Sequence, residues 1–186
     1  AGLVPVRDFI KTTFEAIEKL ALSKDTITGV PTGFVDLDRL TSGFQKGELI
    51  ILAARPSMGK TSFALNIARS AAQATAEPVA IFSLEMAKEQ LVARMLAAEG
   101  YIDAQRLRNG RLTPDDFSRL AKATGILSSA PIWIDDTPGL TALDIRSRSR
   151  RLQERLHSGS PIMELTALVR PLAFHRRASH FFFSPS

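Results

Sequence analysis

Residues 54–61, Ala54-Arg55-Pro56-Ser57-Met58-Gly59-Lys60-Thr61, constrain this chain more than any other segment. They stand between a continuous apolar run, residues 48–53, and a stretch of helical composition, residues 61–74. An apolar run bounded by turn residues predicts a strand buried on both faces of a parallel sheet. Where such a strand feeds a helix through a short loop, the unsatisfied N–H groups and positive dipole end of the helix gather at the loop. Glycine, four residues, glycine, lysine, then serine or threonine is the spacing that cradles phosphates, and here alanine replaces the first glycine while every other position matches. Gly59 lets the backbone curl so that successive N–H groups converge on one anion. Lys60 reaches the β and γ phosphates, and the Thr61 hydroxyl coordinates magnesium. The loop, from Ala54 through Arg55, Pro56, Ser57, Met58, Gly59, Lys60 and Thr61 to Ser62, is the candidate site for ATP and Mg²⁺. Alanine at position 54 matters only if that position requires a positive φ.

The flanking pattern fits an alternating α/β chain. Residues 35–40 read as a short helix and residues 43–47 as a turn. Residues 78–84 form a second apolar run and residues 88–99 a helix. Thr113-Pro114-Asp115-Asp116 combines an N-cap with proline at the first helical position and starts a helix to about Leu127. Residues 131–134 form a third strand closed by Asp135 and Asp136, and Thr141 caps a helix to about Leu156. This order predicts a parallel sheet flanked by helices. The segment opening at Val4 and closing at Leu20 is an amphipathic helix, apolar at Val6, Phe9, Ile10, Phe14, Ile17 and Leu20. Residues 23–32 are polar, end in turn chemistry, and set this helix apart as a linker over residues 1–28. It packs either on its own domain or on a neighbouring subunit.

Hydrolysis needs a carboxylate that orients the attacking water. Glu85, at the end of the second strand in Ser83-Leu84-Glu85-Met86, occupies the sheet edge where such folds bind ligands. Asp135 and Asp136 also end an apolar strand, so either could support magnesium; spacing alone permits it.

Composition excludes more than it identifies. With 186 residues, 45% of them hydrophobic, the chain is one domain with appendages. No apolar run approaches the roughly 18 residues of a membrane span, and no secretory signal pattern opens the chain, so a cytoplasmic protein without membrane contact is expected. The absence of cysteine excludes disulfides and thiolate metal sites. The net charge of +5 invites a nucleic-acid reading, but from Arg155 onward Arg155, Arg170, Arg176 and Arg177 face Glu164 alone, an excess of three. The remaining body is nearly balanced. Arg146, Arg148, Arg150 and Arg151 spread around their helix and read as a solvated surface rather than a DNA track.

Taken together, Gly29-Val-Pro-Thr-Gly-Phe34, Asp36-Leu-Asp38, Thr41-Ser-Gly-Phe44, the loop, Ser83-Leu-Glu-Met86 and Ile134-Asp-Asp-Thr137 resemble, in family order, the C-terminal motor domain of the bacterial replicative DnaB-type DNA helicases. The likeness runs from about Gly2 to Gln153, and alanine at the first loop glycine is a known variant there. The resemblance implies a RecA-like P-loop core, ATP hydrolysis, a ring-shaped homo-hexamer, and 5′-to-3′ translocation on single-stranded DNA. It gives Lys60 and Thr61 to the nucleotide and Mg²⁺, makes Glu85 the catalytic glutamate, and casts the helix at residues 4–20 as the linker that docks on the adjacent subunit. Primase and a helicase loader are the partners it implies. It places the magnesium-supporting aspartate on a strand beyond Asp135 and Asp136.

From about Arg155 the chain departs from that pattern. The expected organisation is a linker at residues 1–28, a partial core at 29–154 and a non-family tail at 155–186. The apolar strand ending in aspartate, the nucleotide-sensing glutamine, the DNA-binding loops and the neighbour-completing arginine are not legible there. All three histidines, His157, His175 and His180, lie in this stretch with Phe181-Phe182-Phe183 and no aspartate. Their spacing fits no metal site. The tail reads as an unrelated or altered reading frame, so this chain alone is expected to bind nucleotide and to hydrolyse it weakly or not at all. The competing reading is an inactive nucleotide-binding or ring-docking fragment; a small-molecule kinase would share the loop but want an arginine lid.

Overall fold

The computed structural model describes residues 4–22, 27–55, 57–156, 163–168 and 180–185. Strand β2 (Val79–Ser83) organises the domain, because all five of its residues are buried. Side chains alternate across a strand, so β2 serves two cores at once. Val79 and Ile81 face helix α3 (Lys60–Thr75) and helix α4 (Lys88–Glu99), packing with Leu65, Ile67, Leu91 and Met95. Ala80 and Phe82 face the opposite way, against Leu140 and against Ile145 and Leu152 of helix α7 (Ala142–Arg155). The result is a helix–sheet–helix sandwich. Alanines at 64, 68, 71 and 72 make the buried face of α3 thin enough to lie close to the sheet. Arg69 of α3 ties to Glu99 at the end of α4 by an ion pair of 2.6 Å.

The sheet order is β1-β5-β4-β2-β3. β3 (Ile132–Asp135) and β4 (Met163–Leu168) flank β2 in parallel. β5 (His180–Pro185) runs antiparallel between β4 and β1 (Ile50–Ala53). Two expectations change here. The sheet does not end near residue 154: β4 extends its parallel part, and Met163 is buried in the same core as Ile81. Nor is β1 buried on both faces, since its residues alternate between half-buried and exposed and Ile51 is 52% exposed. Among the described residues β1 lies at the sheet edge and bonds β5, so an apolar run alone misjudged its surroundings.

The residues before β1 form a strap across α3. Val30 and Phe44 exchange both backbone hydrogen bonds, at 2.8 Å each. Asp38, in helix α2 (Val35–Thr41), is buried and accepts from the Thr32 N–H at 2.8 Å, the Thr32 hydroxyl at 2.7 Å and the Gly33 N–H at 3.2 Å. These bonds satisfy a buried carboxylate without a cation. Gly33, at φ +82°, lies so close to α3 that a Cβ there would sit 2.2 Å from Ser70 Oγ. Phe34 meets Phe63 of α3 with ring centroids 4.6 Å apart. Thus the motif Gly29 to Phe44 is architecture that fixes the helix following the loop.

Helix α1 (Arg7–Leu22) has no buried residue. Its stripe of Phe9, Ile10, Phe14, Ile17 and Leu20 remains more than half exposed, so it does not pack on its own domain. On the far side of α4, helices α5 (Ala104–Arg108) and α6 (Pro114–Ser129) are joined through Asp116. Its carboxylate completes a capping box with Thr113 and pairs with Arg106 and with Arg119, the latter at 3.3 Å.

The Asp116 carboxyl is held below the usual carboxylate range, first by the Thr113 N–H and hydroxyl, with Arg106 and Arg119 adding to them against the cost of burial. Because the folded value lies below the unfolded one, the stabilisation is complete above the ordinary aspartate range and is lost as pH falls from that range through the lower folded value. Asp116→Asn is expected to lower stability at neutral pH and to converge on the wild type in acid. Urea denaturation at pH 7 and pH 3 checks this, and an equal loss at both would show that ionisation is irrelevant.

Candidate functional site

The loop leaves β1 at Ala54 and enters α3 at Lys60. Ser57 at φ +65° and Gly59 at φ +82° both adopt the left-handed conformation; Ala54 does not. Position 54 therefore tolerates a Cβ, which is why alanine can stand there. For Ser57 the conformation costs on the order of 1–2 kcal/mol, a strain typical of sites where backbone N–H groups must turn toward a ligand. Pro56 lies outside the described residues. Gly59 is the N-cap of α3, no side chain caps the helix there, and a Cβ added at Gly59 would meet nothing within 4 Å. The N-terminus of α3 thus carries no side-chain cap, and the space beside Gly59 is open; uncapped N–H groups at a helix N-terminus favour an anion.

Lys60 opens the helix, half-buried beside this mouth. Burial pushes its ammonium below the ordinary lysine value, and the Glu85 carboxylate pulls it part of the way back. Lys60 at the start of α3 and Glu85 after β2 thus lie within electrostatic influence of each other. Glu85 is exposed, in the bend that follows β2. Ser83 closes that bend: its buried hydroxyl donates to the Met86 carbonyl at 2.6 Å and accepts from the Met86 N–H at 3.1 Å. Thr61 is half-buried in the first turn of α3. Ser62 faces another direction, 3.5 Å from Arg94 of α4, on the rim of a cavity of about 780 Å³ between α3, α4 and α5. Arg55 and Met58 are exposed.

Asp135 and Asp136 are already engaged by protein groups. Asp135 accepts from the Thr137 N–H at 3.0 Å and hydroxyl at 2.7 Å and pairs with Arg148 of α7. Its carboxyl lies low because these donors outweigh burial, the largest single influence and an opposing one. Asp136 accepts from the Lys88 N–H at 3.0 Å, with the Lys88 ammonium 3.5 Å away, and the backbone bond is the main reason its carboxyl also lies low. Among the described residues no group of three or more His, Asp or Glu gathers to hold a metal. The Thr61 hydroxyl and the open loop fit Mg²⁺ delivered with phosphate, an ion that keeps several waters and needs few protein ligands. Arg148 is not part of a purely solvated surface, because it is tied to Asp135; Arg146, Arg150 and Arg151 are not placed with it in that pairing.

What the sequence reading missed is the support around these groups: Ser83 inside the Glu85 turn, and Asp136 at the start of α4. Both partners of each bond are ordinary residues, and the Asp136–Lys88 pair spans 48 positions. No local pattern announces it.

The model of a family described as the DnaB-like helicase C-terminal domain matches residues 29–167, running past residue 154 into β4. The replicative DNA helicase DnaB of Geobacillus stearothermophilus is 53% identical over 164 residues, 88% of this chain and 36% of that protein. The replicative DNA helicase DnaC of Bacillus subtilis (strain 168) is 52% identical over the same shares. The chain thus spans about a third of the length of these relatives. Among solved structures, a DnaB-like replicative helicase described with its interactions with primase superposes with a TM-score of 0.78 at 31% identity, over 95% of this chain and 42% of that one. A second solved structure, described as an ATPase domain, gives 0.77 at 30% identity, over 94% and 62%.

Gly59→Ala is expected to fold, with a stability loss of no more than about 1–2 kcal/mol, since the cost lies in the backbone and not in a clash. Its affinity for ATP should fall because the loop relaxes out of the left-handed turn. Thermal melting and nucleotide titration check this; unchanged affinity would show that the turn is dispensable.

Proposed function

The chain belongs to the DnaB-like helicase C-terminal domain family, and from that premise we propose that it is an ATP-binding motor module of a replicative DNA helicase. The single observation that carries the proposal is the strand–loop–helix turn with Ser57 and Gly59 left-handed and Lys60 at the start of the helix. The uncapped N–H groups and Lys60 bind the phosphates. The Thr61 hydroxyl would hold Mg²⁺, whose charge would offset that of the transferred phosphoryl group. Glu85 orients the attacking water. In the intact protein this site works in a homo-hexameric ring that translocates 5′ to 3′ on single-stranded DNA and meets primase and a loader. The exposed stripe of α1 suits docking on the adjacent subunit. Ring ATPases complete each site with a neighbour's arginine, worth orders of magnitude in rate, so the isolated chain turns over slowly.

Titration with a fluorescent ATP analogue tests the reading. A charge-assisted contact contributes about 1.5–3 kcal/mol, so Lys60→Ala should weaken binding on the order of 10- to 100-fold; equal affinity for both proteins would remove the loop from the account. Glu85→Gln should retain binding and abolish turnover.

The bare face of α1 also favours a second reading, a ring-docking fragment that binds nucleotide without using it. Wild-type turnover that vanishes in Glu85→Gln would rule that out.

A further inference from the structure

We propose that Asp136 is a positioning residue for hydrolysis, capping helix α4 from the end of β3 and so holding the turn that carries Glu85 beside the phosphate loop. The inference rests on the reading of Glu85 given above. Among the described residues no hydrogen bond or ion pair fixes the Glu85 carboxylate itself, so its place is set through the backbone. That backbone is pinned twice. On the strand side, the Ser83 hydroxyl spans the turn by bonding both the N–H and the carbonyl of Met86. On the helix side, α4 begins at Lys88 after Ala87, a residue with no side-chain oxygen to cap it. The missing acceptor comes from another strand: Asp136 Oδ2 takes the Lys88 N–H at 3.0 Å.

A carboxylate at that point also opposes the positive end of the α4 dipole. Asp136 is itself held in place, because its neighbour Asp135 is locked to Thr137 and to Arg148. The chain of contacts therefore runs from α7 through the end of β3 to α4, with Glu85 three residues before the capped amide. This assigns Asp136 a role distinct from magnesium support, and the two differ in what they require. Capping needs an oxygen that accepts a hydrogen bond, which asparagine supplies. Magnesium support needs the negative charge, which asparagine lacks.

The test uses the full chain in molar excess over radiolabelled ATP with Mg²⁺, so that a single slow turnover is read directly, together with the equilibrium affinity for the fluorescent analogue. Misplacing a catalytic group by about 1 Å costs on the order of a hundredfold. Asp136→Ala is expected to lower the hydrolysis rate constant between about tenfold and about a hundredfold, with nucleotide affinity within about twofold of wild type. Asp136→Asn should restore most of the rate. The proposal is overturned if Asp136→Ala hydrolyses at the wild-type rate, if asparagine fails as badly as alanine, or if affinity falls in step with rate. Wild-type turnover no faster than that of Glu85→Gln, with ATP still bound, would sink this inference together with the reading of Glu85 on which it rests. Loss of ATP binding in the wild type would instead sink the nucleotide reading on which the inference stands.

Discussion

Because β2 is covered by α3 and α4 on one side and by α7 on the other, its residues are all buried and its four apolar side chains, Val79 to Phe82, are enclosed in the two cores, leaving Ser83 at its end as its one polar group. Chemistry is displaced to the point where the strand stops. Ser83 is the first polar residue met there, and it turns its hydroxyl back on the chain, bonding Met86 and forcing the bend on which Glu85 is exposed. Since β1 runs in the same direction as β2, its loop opens on the same edge of the sheet, and a lysine and a glutamate 25 positions apart in sequence come within electrostatic reach. The proposed nucleotide site depends on this shared edge.

The strap from Gly29 to Phe44 serves the same edge at a distance. A buried carboxylate bonded to Thr32 and Gly33, a glycine packed close to Ser70, and the Phe34–Phe63 ring pair all bear on α3, the helix that follows the loop. Close approach without a side chain is what Gly33 supplies, at a φ that other residues adopt only with strain. The strap also joins α3 to the linker side of the chain, so the loop helix is held between the sheet and the segment that follows α1.

Much of this was legible in the residues. β2, α3, α4, the capped start of α6 at Thr113 and of α7 at Thr141, and the strand-to-helix setting of the loop follow from periodicity and cap chemistry within a few positions of one another. Where the reading fell short, the deciding partner was remote. β1 looked like a strand buried on both faces, but burial depends on which strands lie beside it, and it lies at the sheet edge next to β5. The strand at residues 163–168 carries no apolar run ending in aspartate, yet its backbone pairs in register with β2. Asp135 and Asp136 look alike as the end of a strand, and only the positions of Arg148 and Lys88 separate them.

By itself the sequence determined the identity of the groups that can meet a polyphosphate: a glycine able to turn left-handed, an ammonium and a hydroxyl at a helix start, and a carboxylate after an apolar strand. Those are local properties, written in spacing and side-chain chemistry. The tertiary structure alone decided that Lys60 and Glu85 lie within electrostatic influence of each other, that Ala54 is harmless because the left-handed positions are 57 and 59, and that Asp136 caps a helix 48 residues away. The reason is that sheet order and interhelix packing are set by pairing and burial between distant segments, which no window of neighbouring residues contains.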